Sequence, residues 1–202
     1  METNLKILQA AKELFMRYGI KSITMDDLAN HLGMSKKTLY QTVENKDELI
    51  RQILEQHQHG EKCQLEELCR DSRNAVEEML KIGQHVIQML REVSPNTLYD
   101  LRKYHYNAFV LWERDQRNFV QELIRQNLLR GQREKLYREE MEVEMISKLY
   151  VEFTFALTDP HRFQDRGIST DQLFKNFIEY HLRAITTPAG LSIIQQFNFT
   201  EV

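Results

Sequence analysis

The amino-acid sequence predicts an all-α fold. Long stretches consist of Leu, Met, Glu, Gln, Lys and Arg, the residues that lose least conformational entropy in a helix. Only three prolines and seven glycines interrupt the 202 residues, and runs of alternating β-branched residues bounded by turn pairs are hard to find. With 42% hydrophobic residues, the chain can bury a core as one or two small domains.

The first two helices have recognisable ends. Apolar residues recur at helical spacing between Leu5 and Tyr18, and Gly19 predicts where that helix stops. In "SITMDDLANHLG", Thr24 and Asp27 have the spacing of a capping box, and Gly33 predicts the end of a helix of about two turns.

Two further helix starts follow closely. Ser35 is the expected N-cap of a short helix in "SKKTLYQTV", and Asn45 with Glu48 three residues later is the expected cap of a longer one. Gly60 predicts a kink or an end in that longer helix. Together these signals indicate a helix, a turn, a second helix and then a long helix.

The remainder of the chain also has helical periodicity. "NAVEEMLKIGQHVIQML" predicts one helix, and Ser94 followed by Pro95 is a typical start of the next. The pattern then continues with one break until Gly131, which predicts an end. "MEVEMISKLYVEFTFAL" and "TDQLFKNFIEYHLRAI" are two amphipathic helices with wide apolar faces, whereas no pattern places the tail 188–202.

Composition excludes several classes of protein. No apolar stretch approaches the length of roughly 20 residues that spans a bilayer, so no membrane partner is expected. The N-terminus lacks the order of a signal peptide, and Cys63 and Cys69 have no CxxC spacing, which indicates a reducing cytoplasm. Because the formal net charge is -3, nucleic-acid binding would depend on a local basic patch.

Such a patch lies between His31 and Lys46, where three lysines stand against Glu44 alone. Residues 1–50 as a whole are neutral, with seven basic and seven acidic side chains. In a helix-turn-helix, the N-terminal residues of the second helix enter the major groove. The helix opened by Ser35 is therefore the candidate DNA-reading helix, with lysines that are merely solvated as the alternative.

The sequence contains no catalytic motif and no strong metal-binding motif. It has no Gly-rich phosphate loop, no GxSxG and no HExxH. His59 and Cys63 are four residues apart with Cys69 further along, but a metal site needs about three ligands in fixed geometry and His57 falls off that face. We therefore expect neither an enzyme, nor a cofactor, nor a bound metal.

The segment "ILQAAKELFMRYGIKSITMDDLANHLGMSKKTLYQTVENKDELI" resembles the N-terminal DNA-binding domain of the TetR (tetracycline repressor) family of bacterial transcriptional regulators. It joins "AAKELFMRYG", "TMDDLANHLGMSKKTLY" and "NKDEL" at that family's usual spacings, over residues 5–50. The rest of the chain is similar only in length and helix order. The resemblance implies a nine-helix, all-α homodimer, with a helix-turn-helix DNA-binding domain at 1–46 and a helical effector-binding and dimerisation domain at 47–202.

The resemblance also implies roles for single residues. Thr24 at the start of the second helix and Lys46 at the start of the fourth would contact phosphate, and Tyr40 would reach the DNA backbone. The residues at the groove would be Ser35, Lys36, Lys37, Thr38 and Leu39, the last divided between core and groove.

The sequence departs from the family after Tyr40. Where the family commonly has aromatic residues, this chain has Gln41, Thr42 and Val43. Val43 fills the core position with less volume, and Gln41 can add a base contact because glutamine binds adenine in a bidentate way. The operator sequence therefore cannot be taken from relatives.

Two further sets of residues are candidates for ligand and subunit contacts. Apolar and aromatic side chains expected to line an effector pocket suggest an apolar or aromatic small molecule. They are His85, Met89, Tyr99, Tyr104, Phe109 and Trp112. The expected dimer contacts on the last two strong helices are Leu149, Phe153, Phe174, Phe177, Ile178 and His181. Ordinary core packing is the alternative for each pocket residue, whereas wide apolar faces on terminal helices often serve both core and subunit contact.

We therefore predict a ligand-responsive transcriptional regulator, most often a repressor in this family, that binds a palindromic operator on double-stranded DNA as a homodimer. One alternative is a nucleoid-associated, structural DNA-binding protein of the same fold without an effector. A second alternative is a helical enzyme that has lost DNA binding, which turnover without duplex affinity would identify. The sequence leaves open the effector, the operator, the regulated genes and the choice between repression and activation.

Overall fold

The computed structural model of the protein describes residues 2–92, 95–159 and 167–197. These ranges form ten α-helices, one more than the nine expected, and the all-α fold class is confirmed. Within these ranges, the only β-type pairing is an isolated bridge between Tyr137 and Thr186. The helices are α1 Glu2–Tyr18, α2 Met25–His31, α3 Lys36–Tyr40, α4 Lys46–Arg70, α5 Ala75–Glu92, α6 Pro95–Tyr104, α7 Tyr106–Arg133, α8 Val143–Leu157, α9 Thr170–Ile185 and α10 Pro188–Gln196.

Packing divides the helices into two compact units. The first contains the described residues up to Lys62 and those from Pro95 to Gln116; the second contains residues 63–92 and the described residues from Arg117 onward. Helices α4 and α7 contribute residues to both. The functional division expected near residue 46 stays a prediction. No helix within the described ranges combines the length and apolar character needed to cross a membrane.

The first unit has its own apolar core, built from α1 to α4 and α6. Its most deeply buried members, each at most 1% exposed, are Ile7, Ala11, Leu28, Ala29, Leu39, Val43 and Leu49. Gly19 ends α1 as predicted, because its φ of +85° is a left-handed conformation that glycine adopts without steric cost.

The helix end expected at Gly131 is wrong, and at Gly60, where a kink or an end was expected, the helix does not end. Gly60 lies inside α4, which continues because residues beyond it still bury apolar side chains such as Leu65. Gly131 lies inside α7 and permits close packing, since a Cβ there would lie 2.0 Å from Cδ2 of Tyr137. The break expected before Gly131 is confirmed at His105, between α6 and α7.

Part of the tail that no sequence pattern places forms α10. Thr187 caps this helix by accepting a hydrogen bond from the Gly190 amide at 3.3 Å. Ile194 is 3% exposed and belongs to the core of the second unit. Residues 198–202 and the predicted cap Ser94 lie outside the described residues.

A buried polar network lies within the core of the second unit. The Tyr137 hydroxyl lies 2.9 Å from the Ala75 carbonyl and 3.0 Å from Oδ1 of Asn127. Asn127 Nδ2 donates to the Ala75 carbonyl at 2.9 Å and to Glu78 at 3.0 Å, and Glu78 pairs with Arg130 at 2.6 Å. Because these buried groups satisfy one another, the network orders the core without a large desolvation cost.

His181 is buried against two aromatic rings of the second unit. It is 8% exposed, and its ring centroid lies 4.9 Å from that of Tyr150 and 6.0 Å from that of Phe177. Its Nε2 has no hydrogen-bond partner among the described residues. Burial disfavours the charged imidazolium and lowers the pKa of His181 to about 4.

We predict that His181 destabilises the protein in mild acid. Between its ordinary pKa of 6.5 and the folded value of about 4, the unfolded chain binds a proton that the folded chain does not, so the free energy of unfolding falls as the pH falls. Relative to His181→Leu, the loss should approach about 3 kcal/mol near pH 4. Urea denaturation of both proteins from pH 7.5 to 4 measures it, and parallel pH profiles would contradict the prediction.

Candidate nucleic-acid interface

Helix α2 begins with the predicted capping box. Thr24 Oγ1 accepts a hydrogen bond from the Asp27 amide at 3.1 Å, while the Asp27 carboxylate accepts from the Thr24 amide and hydroxyl at 2.8 and 2.6 Å. The hydrogen bonds from Thr24 lower the pKa of Asp27. A phosphate contact by the Thr24 hydroxyl would therefore compete with its bond to Asp27.

The turn between α2 and α3 is fixed by backbone geometry and by a cap. Gly33 has a φ of +63°, and the Met34 amide donates to the Ala29 carbonyl at 3.0 Å. Ser35 is the N-cap of α3, as predicted: its Oγ accepts from the Thr38 amide at 3.1 Å and lies 2.8 Å from the Thr38 hydroxyl. The first turn of α3 is thereby held in position.

One side of α3 is buried and the rest is exposed. Leu39 is 0% exposed, and Val43 just beyond the helix is 1% exposed, both in the core of the first unit. The exposed side chains are those of Lys36, Lys37, Thr38, Tyr40 and Gln41. The expectation for Leu39 needs correction: a fully buried side chain cannot reach a DNA groove, so Leu39 leaves the set of candidate contacts.

The two lysines at the start of α3 differ in their electrostatic partners. The Lys36 ammonium forms an ion pair with Asp26 of α2, between side chains that are 61% and 50% exposed. The Lys37 ammonium has no ion-pair or hydrogen-bond partner among the described residues. Lys37 is therefore the cation that can meet a phosphate or a base without first leaving a carboxylate.

Lys46 at the start of α4 is directed into the first unit. Its Nζ donates to the carbonyls of Ile20 and Ile23, both at 2.5 Å, and lies 5.5 Å from the Phe15 ring centroid. Burial lowers the pKa of Lys46, and the charge of Asp100 opposes that shift. Two of its three N–H groups tie α4 to the turn between α1 and α2, which leaves one for a phosphate.

Helix α6 is part of the same unit as the helix-turn-helix. Leu101 is 4% exposed and belongs to the core that contains Leu28 and Leu49. Asp100 Oδ2 accepts a hydrogen bond from the Lys21 amide at 3.2 Å, in the turn between α1 and α2. This position was not predicted from the sequence, because α4 and α5 separate α6 from its partners and no local signal reports such a contact.

Four of the six expected effector-pocket residues belong to the first unit. Tyr99 and Tyr104 are 39% and 41% exposed, whereas the rings of Phe109 and Trp112 lie 6.0 Å apart. Trp112 Nε1 is buried and has no hydrogen-bond partner among the described residues. Of these four, Trp112 is the residue whose buried donor is not used by any described residue.

A buried polar group in the first unit was not expected from the sequence. Gln116, one turn beyond Trp112, donates to Glu61 Oε2 at 2.9 Å and accepts from Gln58 Nε2 at 3.1 Å. His57 Nδ1 lies 4.0 Å from the same Glu61 oxygen. Burial raises the pKa of Glu61 and lowers that of His57. Gln116 is distant in sequence from the three residues of α4, so only the packing of α4 on α7 brings it to them.

The remaining two pocket candidates, His85 and Met89, lie on α5 in the second unit. Met89 is half-buried. His85 borders an open cleft of about 350 Å³, whose other lining residues are Gln64, Glu67, Leu68 and Asp71. Because the six residues are divided between two units, the single effector pocket stays a prediction.

Three of the expected dimer contacts face the interior of their own unit. Phe174 and Ile178 are 1% and 0% exposed, and His181 is 8% exposed. The sequence predicted their apolar helix face without separating core from surface, because a wide face looks the same in both cases. These three side chains are therefore buried in the folded unit and are not exposed for contact with a second copy.

The other three expected dimer contacts lie on a partly exposed apolar surface of α8 and α9. Leu149 and Phe153 are 48% and 54% exposed, and the half-buried Phe177 stacks on Phe153 at 5.9 Å between ring centroids. Met145 and Tyr180, which were not among the candidates, are 57% and 72% exposed. We call the five residues the α8–α9 apolar surface.

The histidine and cysteines of α4 do not assemble a metal site in the described part of the chain. No group of three or more His, Cys, Asp or Glu side chains there is arranged to hold a metal ion. Cys63 is exposed, and burial raises the pKa of the Cys69 thiol to about 12, so Cys69 stays protonated at neutral pH.

Comparison with known proteins finds a family profile that matches the N-terminal part of the chain. Residues 7–53 match the sequence profile of bacterial regulatory proteins, tetR family. YvaF, an uncharacterised HTH-type transcriptional regulator of Bacillus subtilis (strain 168), is 32% identical over 110 residues. That alignment covers 52% of this chain and 55% of YvaF, so the chain matches about half the length of that relative.

Solved structures share the fold at low sequence identity. The reduced form of Escherichia coli NemR has a TM-score of 0.73 at 16% identity, covering 94% of this chain and 100% of NemR. SmeT in its complex with triclosan has a TM-score of 0.66 at 14% identity, covering 93% of each chain. At these identities the similarity establishes the fold alone.

We predict opposite effects for two substitutions on the α2–α3 surface. Lys37→Ala removes a cation available to DNA. The fall of log affinity with log salt concentration should therefore become less steep, by about 0.9 in the magnitude of the slope. Asp26→Asn releases Lys36, so duplex binding should become stronger. The magnitude of the same slope should increase by up to about 0.9. Fluorescence anisotropy of a labelled duplex at several salt concentrations measures both.

The matched control is Asp71→Asn, which removes the same charge from an exposed position in the second unit. If Asp26→Asn and Asp71→Asn strengthened binding equally, the effect would reflect net charge alone, and a direct role for Lys36 would be ruled out.

We predict that Lys46→Met lowers stability as well as DNA affinity. The variant keeps an unbranched apolar chain but leaves the Ile20 and Ile23 carbonyls without their charged donor. The free energy of unfolding should fall by on the order of 2 kcal/mol, whereas the exposed Lys37→Met should stay within about 0.5 kcal/mol of the unmodified protein. Urea denaturation compares them, and equal stabilities would contradict the structural role of Lys46.

Proposed function

We propose that the chain is a regulator of the TetR family, which represses transcription by binding a palindromic operator as a homodimer until a small-molecule effector releases it. The observation that carries the proposal is the exposed, basic first turn of α3, held by the Ser35 cap and by the buried Leu39. A regulator of a bacterial chromosome acts in the cytoplasm, which we include in the proposal.

Within the interface we propose two kinds of contact. Lys37 and Gln41, which are exposed, contact base edges in the major groove. Lysine is a residue type that binds guanine there, and glutamine is one that binds adenine. Four other residues contact phosphates and so position the protein on the duplex. Their polar groups are partly engaged within the protein or lie at the edge of α3; they are Thr24, Lys36, Tyr40 and Lys46. Ser35 and Thr38, which bond each other at the cap, shape the turn that enters the groove.

A second copy of the chain supplies the second half-site contact. Met145, Leu149 and Phe153 are spaced four residues apart, so they share one exposed face of α8. Phe177 and Tyr180 continue this apolar surface on α9. An exposed apolar surface of this kind is typical of a protein interface, and we propose that it joins the two copies.

The first unit offers polar groups to an effector. Trp112 Nε1 is a buried donor without a partner in the described residues, and the Glu61–Gln116 pair is a buried carboxylate held by a neutral amide. Buried polar groups with unused hydrogen bonds or shifted pKa values are frequent at ligand sites. The related fold of SmeT was solved with triclosan, which supports a small-molecule ligand for this chain as a proposal.

Selection of bound duplexes from a random-sequence library, using the full chain, tests the proposal. We expect an inverted repeat whose half-site centres lie about 34–36 Å apart, or a multiple of that distance. The double variant Leu149→Glu/Phe153→Glu should be monomeric by light scattering, keep its helical content and lose affinity for the selected operator. Failure to select any duplex at low salt, or an unpaired site bound by a monomer, would contradict the proposal.

The same complex tests the effector. Trp112 is the single tryptophan of the chain, so a compound that binds beside it should change the intrinsic fluorescence and release the labelled operator over the same concentration range. Fluorescence changes without release would contradict effector control through this region.

A further inference from the structure

Two lysines and two tyrosines form a cluster on the first unit outside the helix-turn-helix. Lys21 Nζ lies 5.1 Å from the Tyr104 ring centroid, and Lys103 Nζ lies 5.4 Å from the same centroid and 5.1 Å from that of Tyr99. Lys103 also donates to the Tyr99 hydroxyl at 2.8 Å. We call these four residues the lysine–tyrosine patch.

Both ammonium groups in the patch lack a carboxylate. Within the described residues, neither Lys21 nor Lys103 has an acidic side chain within ion-pair distance of its Nζ. The nearby carboxylates are used elsewhere, since Asp100 accepts from the Lys21 amide and Asp47 pairs with His105. Two exposed cations therefore share one aromatic ring, and an anion between them would relieve their repulsion.

The phenols of the patch add hydrogen-bonding groups next to the two cations. Tyr99 and Tyr104 are 39% and 41% exposed. The hydrogen bond from Lys21 and the charge of Lys103 lower the pKa of Tyr104. Ammonium and hydroxyl groups side by side are the donors that protein surfaces offer to phosphate oxygens.

The patch lies beside the start of α2 and not on a separate element. Lys21 belongs to the turn that leads to Thr24, the cap of α2. Leu101, two residues before Lys103, is 4% exposed in the core that holds α2 and α3, so α6 is fixed against these helices. A duplex that reaches the first turn of α2 thus approaches the patch as well.

We propose that the lysine–tyrosine patch binds a backbone phosphate of the DNA, so that α6 gives the protein a duplex contact beyond the helix-turn-helix. The inference rests on the proposed DNA-binding function. The contact adds affinity for any sequence and no base preference, because phosphates carry no sequence information. It also attaches the duplex to the helix that leads into α7, which carries Trp112.

Salt-dependent binding of Lys21→Gln and Lys103→Gln tests the patch. Each substitution should reduce the magnitude of the slope of log affinity against log salt concentration by about 0.9. Each should also weaken binding at low salt severalfold, with the selected operator and with a scrambled duplex alike. The base preference recovered from a random library should stay unchanged. Thermal unfolding should also be unchanged, because both side chains are exposed.

The matched control is Lys148→Gln, which removes an exposed lysine from the second unit and should leave the slope unchanged. If Lys21→Gln and Lys103→Gln behaved like Lys148→Gln while Lys37→Ala still lost affinity, the patch would not contact DNA and the proposed function would stand. A patch that bound inorganic phosphate yet left the slope unchanged would overturn the inference in favour of a small anion. Absence of duplex binding by the unmodified chain would overturn both.

Discussion

The candidate DNA-reading surface depends on the burial of Leu39. This side chain is 0% exposed and shares a core with Leu28 and Leu49, so α3 can occupy only one rotation about its own axis. Burial of a leucine contributes about 1.5–3 kcal/mol, more than an exposed ion pair such as Lys36–Asp26, which contributes about 0–1 kcal/mol. Apolar packing thus fixes which residues of a five-residue helix face solvent, and the charges act on a surface already set.

The positive charge of the lysines on this surface is partly compensated by groups within the protein. Asp26 forms an ion pair with Lys36, and Lys46 donates mainly to backbone carbonyls, whereas the Lys37 ammonium has no partner among the described residues. Non-specific DNA affinity grows with the number of phosphates neutralised. Because two of the three lysines between residues 36 and 46 are engaged within the protein, this surface offers fewer free charges to phosphates. It would rely more on base contacts, as the proposed regulator requires in order to distinguish one operator from bulk DNA.

Local features of the fold were predictable from the sequence, and long-range ones were not. The caps at Thr24 and Ser35 depend on residues three positions away, so their spacing is visible in the chain. The docking of α6 through Leu101 depends on partners far away in sequence. Gly131 misled the prediction of a helix end because its role is contact with the Tyr137 ring, which no local pattern reveals. Which residues of a wide apolar face are exposed, as for Phe174 against Phe153, is likewise a property of the packed core.

Hydrogen–deuterium exchange of the full chain, with and without a bound duplex, tests most directly whether α3 enters the DNA. The account predicts slower exchange on duplex binding in peptides that cover Thr24 and residues 35–46. Peptides of α8 and α9 should not change. Protection that spared residues 35–46 while it appeared elsewhere in the chain would contradict the assignment of α3 as the DNA-reading helix.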